Sequence, residues 1–373
     1  MKWDFPRLFA SGNTAAIPAW IAEMDFPAPP AVQEAVMKRA SCPNYGYTWK
    51  SHEFLNSVCM WFSRFGWDVC KTWITTAPGV MSAISLAIRT YTSAGDIIVT
   101  DAPIYPAIHQ CISNLGRKVV FNRLLMKDGQ YVREFDDVER VLDGSARMYI
   151  LCNPHNPSGR VWTKDELFEL GQFCTRHDMI IVSDEIFADL CFRRQHACIA
   201  SLSPSIADRS VTCISPSKTY CASGLQIANV VIPNKFLRNK FVRKKEFEQL
   251  SLPNVFGPLA VTAAYSHSVD WLKRLKTYLE TNIHHAIDRL ACLSPRVRIA
   301  KPEGTFLLWM DCRDLPLSSE ELCGFLLNSA RILVSNGRSY GPGGEGFVRM
   351  SLGLPRRQMN NMLEDLVRCI NEI

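Results

Sequence analysis

At 373 residues the chain exceeds the size at which one hydrophobic core usually stops growing, so about two domains are expected. A hydrophobic share of 47% with 21% charged residues is that of an ordinary globular protein. The net charge of +6 is mild, and the densest basic run, Lys235 to Lys245, is interleaved with Phe236, Leu237, Phe241 and Val242. That pattern describes a solvated helix face and argues against a nucleic-acid partner. No apolar run approaches the roughly 20 residues of a membrane span. Met1-Lys-Trp-Asp-Phe-Pro lacks the pattern of a signal peptide, and the 14 cysteines are scattered without a Cys-x-x-Cys pair. A cytoplasmic chain with reduced thiols is therefore expected. No metal is expected either, since His284 and His285 are adjacent and diverge on a helix.

Residues 1–30 are rich in proline and aromatic side chains and read as an extended arm, with Pro29-Pro30 opening a helix over 31–40. Asn44-Tyr45-Gly46-Tyr47 is a turn, and the amphipathic helix over 51–65 stops at Gly66. From Lys71 the rhythm becomes strand, loop, helix. Strands are expected at 72–76, 96–100, 148–152, 179–183, 211–214 and 228–232, with helices over 80–91 and, from the Thr163-x-x-Glu166 capping box, up to His177. After Pro258 come long helical segments through Leu290, strands at 305–311 and 347–352, and a closing helix over 355–373. Short apolar strands alternating with amphipathic helices describe an α/β fold, a mostly parallel sheet covered on both faces. We expect a large unit over 31–260, with 1–30 and 261–373 forming a smaller α+β unit.

In such sheets ligands gather at the carboxyl ends of the strands. Loops beginning at Gly79, Tyr105, Asn156 and Lys218 all start there, and Asp184 closes a fifth strand. A lysine amine can form a Schiff base with a carbonyl cofactor, of which pyridoxal phosphate is the commonest. Its pyridine nitrogen needs a carboxylate, for which Asp184 is the candidate. Its phosphate needs helix-start N–H groups and hydroxyls, which Gly79-Val80, Ser215 and Ser217 can supply. Tyr105 is placed for the ring face, Asn156 for the phenolate oxygen, and Arg349 for a bidentate bond to an α-carboxylate.

Taken in order, Pro-Gly-Val, Tyr-Pro, Asn-Pro-His-Asn156-Pro-Ser-Gly, Ser-Asp184-Glu-Ile, Ser-Pro-Ser-Lys218 and Phe-Val-Arg349 resemble the fold-type I pyridoxal-phosphate enzymes of the aminotransferase superfamily. Trp20-Ile-Ala-Glu-Met-Asp25-Phe, Cys152 to Thr163 and Gly224-Leu-Gln226 bring the resemblance closer to the MalY/PatB-type cystathionine β-lyases, the C–S lyases. The resemblance implies Lys218 as the Schiff-base lysine, Lys218, Tyr105 and Asp184 as catalytic groups, and Trp20, Asp25 and Arg349 on the substrate side. It also implies a homodimer acting on a small-molecule amino-acid substrate, in which the Tyr45 or Tyr47 turn reaches the neighbouring subunit's cofactor phosphate. The chain departs from the family at several positions. Phe187 stands beside the cofactor where a hydrogen-bonding side chain is usual. Gln226 replaces a phosphate-binding arginine of many aminotransferases and so favours elimination over transamination. Glu23 replaces an aspartate, and 335–340 replaces a Pro-Gly loop, with Arg338 open between a surface role and a substrate contact. The expected function is β-elimination from cystathionine or another S-substituted cysteine. An aminotransferase is the alternative, a non-catalytic cofactor-binding regulator a further one, and a Ser-x-x-Lys acyl-transferase reading of Ser215 to Lys218 lacks its companion motifs.

Overall fold

The computed structural model describes residues 2–4, 16–142 and 144–373. Of the expected arm, residues 1 and 5–15 therefore lie outside the described residues. Seven strands build the central sheet: β1 (Ile74–Ala77), β2 (Ile97–Ala102), β3 (Lys118–Arg123), β4 (Ala146–Cys152), β5 (Ile180–Asp184), β6 (Ser210–Ile214) and β7 (Ala228–Val231). Their order is β1-β7-β6-β5-β4-β2-β3. All run parallel except β7, which is antiparallel to both its neighbours, β1 and β6.

The strands are apolar on both faces because both faces are covered. In β4, Met148, Ile150 and Cys152 enter one apolar cluster, while Tyr149 and Leu151 enter the other. This alternation with period two leaves neither face for water. One side is closed by the helix Val80–Tyr91, which brings Val80, Ile84, Ala87 and Ile88 to the sheet, together with Pro106–Asn114. The other is closed by Lys164–Arg176, whose start is fixed by the predicted capping box: Thr163 Oγ1 accepts from Glu166 N–H at 3.2 Å and Glu166 Oε2 accepts from Thr163 N–H at 2.7 Å.

In and beside the central sheet three features depart from the sequence reading. A 3₁₀ turn over Lys71–Trp73 delays β1. The edge strand β3 and a hairpin of Leu125–Lys127 with Gln130–Val132 were not anticipated. β3 carries charge at both ends and is only half-buried, as an open edge allows, so it lacks the apolar run of its neighbours.

A second, antiparallel sheet follows from β8 (Arg298–Ile299), β9 (Leu307–Asp311), β10 (Ser335–Asn336) and β11 (Phe347–Ser351), in the order β8-β9-β11-β10. The helices Val269–Leu290 and Arg356–Asn371 cover it, and Ala19 of the arm joins their apolar cluster. Ile17–Pro18 also pairs in parallel with Ile332–Leu333.

One junction binds this sheet to the central one. Glu303 accepts from Arg160 at 2.5 Å, from Val161 N–H at 3.0 Å and pairs with Arg194 at 3.2 Å. The N–H groups of Glu303 and Gly304 both donate to Gly159 O at 2.9 Å. Gly159 has φ +71°, and a Cβ there would sit 2.4 Å from Pro302 Cβ and 2.9 Å from Gly304 O, so only glycine fits so close an approach.

Candidate active site

The carboxyl ends of β1, β2, β4, β5 and β6 converge with the start of β7 on a cavity of about 420 Å³. The predicted residues Trp20, Gly79, Val80, Tyr105, Asn156, Asp184, Phe187, Ser217, Lys218 and Arg349 all line it. Residues separated by more than 300 positions thus meet in a space of the usual ligand-site size.

One end of the cavity is made for an anion. Gly79, at φ +94°, turns the chain so that the helix Val80–Tyr91 starts at the cavity wall with no side-chain cap. The first intrahelical bond is Ala83 N–H to Gly79 O at 3.1 Å, which leaves the N–H groups of Val80, Met81 and Ser82 aimed outward. Ser217 adds a hydroxyl. Ser215 stands one layer behind: its Oγ gives its proton to Ile227 O at 2.6 Å and accepts from Ser217 N–H at 3.1 Å. The 2.7 Å contact between the two hydroxyls is then donated by Ser217, so Ser215 positions Ser217 and does not itself line the cavity.

At the end of β5, Asp184 accepts one hydrogen bond, from Ile186 N–H at 3.1 Å, and has no ion-pair partner among the described residues. Burial pushes its carboxyl up to about 7, and Glu185 adds repulsion, against the Ile186 bond and Lys218. Lys218 lies in the same cavity. Burial weakens its hold on a proton, Glu23 opposes that, and Arg349 adds to it. The Tyr105 phenol is kept protonated, chiefly by burial.

Arg349 supplies the sharpest signal. The described chain buries three arginines, and two of them face carboxylates: Arg133 pairs with Asp101 at 2.8 Å, and Arg160 with Glu166 and Glu303 at 2.5 Å each. Arg349 has none. Its Nη1 donates to Asn156 Oδ1 at 3.1 Å, its Nη2 to Ser335 Oγ at 3.2 Å and to Trp20 O, and it lies 5.4 Å from the Tyr340 ring centroid. Its Nε is buried without a partner. A desolvated guanidinium held only by neutral groups is set for an incoming carboxylate.

These groups fit pyridoxal phosphate with an amino acid. The uncapped helix start suits a phosphate, the orphaned Asp184 a cationic ring N–H, Lys218 an aldehyde carbon, and Arg349 an α-carboxylate. Phe187 is 2% exposed and packs edge-on to Phe306 at 5.8 Å, offering an apolar wall and no hydrogen bond.

Besides Ser215, two predicted residues stand outside the cavity. Asp25 Oδ1 accepts from Lys2 Nζ at 2.9 Å and Trp3 Nε1 at 3.1 Å, so its carboxylate pins the start of the arm. Tyr47 is 96% exposed and does not line the cavity. Gln226 and Arg338 are exposed as well and do not line it. Tyr340, Ser335 and Ser223 line the cavity without having been singled out. Ser223 lies five residues past Lys218 in a hydroxyl-rich loop, and Ser335 and Tyr340 bound the 335–340 tract that departs from the family, in which only Arg338 had an expected role.

The model of the family "aminotransferase class I and II" matches residues 21–366. Cystathionine β-lyase PatB of Bacillus subtilis is 41% identical over 95% of this chain and 92% of its own length. A pyridoxal-phosphate-bound putative aminotransferase from Clostridium difficile superposes with a TM-score of 0.95 at 34% identity, covering 99% of this chain and 96% of that one. Cystalysin from Treponema denticola, which contains pyridoxal 5'-phosphate, also superposes with a TM-score of 0.95, at 30% identity over 100% of this chain and 95% of that one.

Proposed function

The chain belongs to the class I and II aminotransferase family, and from that premise we propose that it is a pyridoxal-phosphate-dependent C–S β-lyase. It converts cystathionine or another S-substituted cysteine, with water, to a thiol, pyruvate and ammonia. The observation that carries this reading is the charge complement of one cavity: a buried arginine without a carboxylate, a buried aspartate without a cation, and a lysine between their fields. Similarity to PatB along nearly the whole chain supports the lyase branch.

The N–H groups of Val80–Ser82 would hold the phosphate, with the Ser217 hydroxyl turning its proton from Ser215 to it; Asp184 would hold the ring nitrogen, Asn156 the phenolate oxygen, and Tyr105 and Phe187 the ring's surroundings. When bound, pyridoxal phosphate supplies a carbonyl for the substrate amine and an electron-withdrawing ring that stabilises charge at Cα. Arg349 binds the substrate carboxylate through its paired N–H groups and so fixes which Cα bond points at Lys218. Lys218 Nζ, its basicity already moderated by burial, takes the Cα proton and can pass it to the leaving sulfur. Asp184 stays ionised beside the cationic ring and holds that ring proton in place. Trp20 and Phe187 exclude water from the reacting atoms.

The working unit in this reading is a homodimer. Tyr45, Tyr47 and Trp49 are 56%, 96% and 77% exposed on one segment without regular secondary structure, which favours burial against a second copy, with Tyr47 reaching its phosphate subsite. Residues 31–260 would form the cofactor-holding unit, and 1–30 with 261–373 the smaller one, a division supported by the apolar cluster drawn from Ala19 and Ile283–Ile370. No helix among the described residues is long and apolar enough to cross a membrane.

The reading is tested by loading the protein with pyridoxal phosphate and following thiol and pyruvate from L-cystathionine and S-alkyl cysteines, with a parallel assay for a new amino acid from a 2-oxo acid. Thiol and pyruvate should appear together, and Lys218→Ala should abolish both along with the yellow absorbance. Thiol release by Lys218→Ala at near the wild-type rate would sink the assignment, and a new amino acid without thiol would reassign the chain to transamination.

A further inference from the structure

A second cleft, of about 550 Å³, lies between the Thr48–Lys50 segment, the helix Lys235–Phe247 and the outer edge of β1. It shares no lining residue with the cavity that holds Lys218. Lys50, Arg238, Arg243 and Lys245 line it against a single carboxylate, Glu246, and none of these five forms an ion pair among the described residues. Two of the cations are drawn inward. Lys245 is 4% exposed, and its Nζ donates to Thr75 Oγ1 and Thr76 O, each at 3.0 Å. Lys50 Nζ donates to Ile74 O at 3.1 Å.

Capping the open edge of a sheet explains those three hydrogen bonds, because the carbonyls of Ile74 and Thr76 point to the same side and lysine commonly guards such edges. It does not explain two ammonium groups side by side. Each carries three donors, so half of the six remain uncommitted beside three consecutive strand residues. Burial lowers the proton affinity of both, and Lys50 adds its repulsion to Lys245, which falls to about 8. A negative charge between them would reverse both effects. Thr72 and Thr75 add hydroxyls to the wall, while Trp49 and Leu252 close its rim.

We propose that this cleft binds a small oxyanion of the phosphate type, held between Lys50 and Lys245 with Arg243 at its mouth.

The test is titration calorimetry of the cofactor-loaded protein with inorganic phosphate at constant ionic strength, so that the phosphate subsite at Gly79 is already filled. Wild type should show one saturable site per chain. Lys50→Met and Lys245→Met should each weaken it by about tenfold or more, as loss of a charge-assisted hydrogen bond requires. Lys50 is half-buried, so its variant tests the site even if Lys245→Met fails to fold. Lyase turnover should persist in Lys50→Met, since none of these residues touches the reacting groups. No saturable binding below about 10 mM phosphate, or equal binding by wild type and Lys50→Met, overturns the proposal. A variant that loses phosphate only as its mass in gel filtration falls overturns it too, because the lysines would then be serving subunit contact.

Discussion

Replacing Asp184 by asparagine should stabilise the protein stripped of its cofactor, although it removes a group central to the proposed reaction. Asp184 lies buried at the end of β5 with one backbone hydrogen bond and no cation, and its carboxyl rises from 3.8 to about 7. A carboxyl whose folded value exceeds its unfolded one holds more protons folded than unfolded between the two. Stability therefore falls as pH climbs from about 4 to about 7 and is level above. At about 1.4 kcal/mol per pKa unit, ionised Asp184 costs the cofactor-free fold about 4 kcal/mol at pH 8 and about 2 kcal/mol at pH 5.5. In Asp184→Asn the amide oxygen keeps the bond from Ile186 N–H, and there is no charge to bury. Urea unfolding of both apo proteins at matched concentration should show the variant's advantage growing between these pH values. Asp189, raised to about 6 by burial, titrates in the same direction but is common to both proteins and cancels in the difference. With cofactor bound the sign should invert, wild type gaining more stability than the variant. An apo variant no more stable than apo wild type at pH 8, or an advantage that shrinks with rising pH, refutes the argument.

Other expectations concern binding and the framework. Arg349→Lys keeps the charge but loses the fork, so kcat/KM for an S-substituted cysteine should fall by about 10- to 100-fold, mostly through KM; an unchanged KM would place the substrate carboxylate elsewhere. Gly79→Ala meets no neighbour within 4 Å, yet it forces a side chain onto φ +94°. It should cost about 1–3 kcal/mol and weaken cofactor binding measured by absorbance. Glu303→Ala leaves Arg160 with Glu166 and Tyr131 O and strips the acceptor from Arg160 Nη1 and Val161 N–H, which should lower unfolding stability by about 2–4 kcal/mol.

Residues whose role is set by the strand they follow were legible in the sequence. Lys218, Asp184, Asn156 and Gly79 each terminate an apolar run or follow it within a few positions, and a parallel sheet brings such ends together without further information. The helix Val80–Tyr91 and the cap at Thr163 were equally plain, because periodicity and capping are local. Tyr340 and Ser335 were not, since they matter only through Arg349, and β11 meets β10 through a register that no short window encodes. Asp25 shows the opposite case: it stands in a telling motif, yet its Oδ1 is taken by Lys2 and Trp3 outside the cavity. The edge strand β3 escaped because half its surface faces water, so its composition is that of a loop with valines.

The reversed strand β7 has a consequence for how the lysine is carried. At the parallel strand ends the chain leaves the cavity through a helix to the far side of the sheet before it returns. After β6 it does not leave. Residues 215–227 depart and come back at the same end, and Ser215 Oγ bonded to Ile227 O ties the two feet of the loop together at 2.6 Å. Lys218 therefore rides on a closed bight of chain, and its reach is a matter of loop length as much as of side-chain length. Inserting or deleting one residue between 219 and 226 would relocate the amine while leaving the sheet paired. New chain termini cut into this segment by circular permutation should disable the site, whereas termini placed in the exposed turn at Asp128-Gly129 should not.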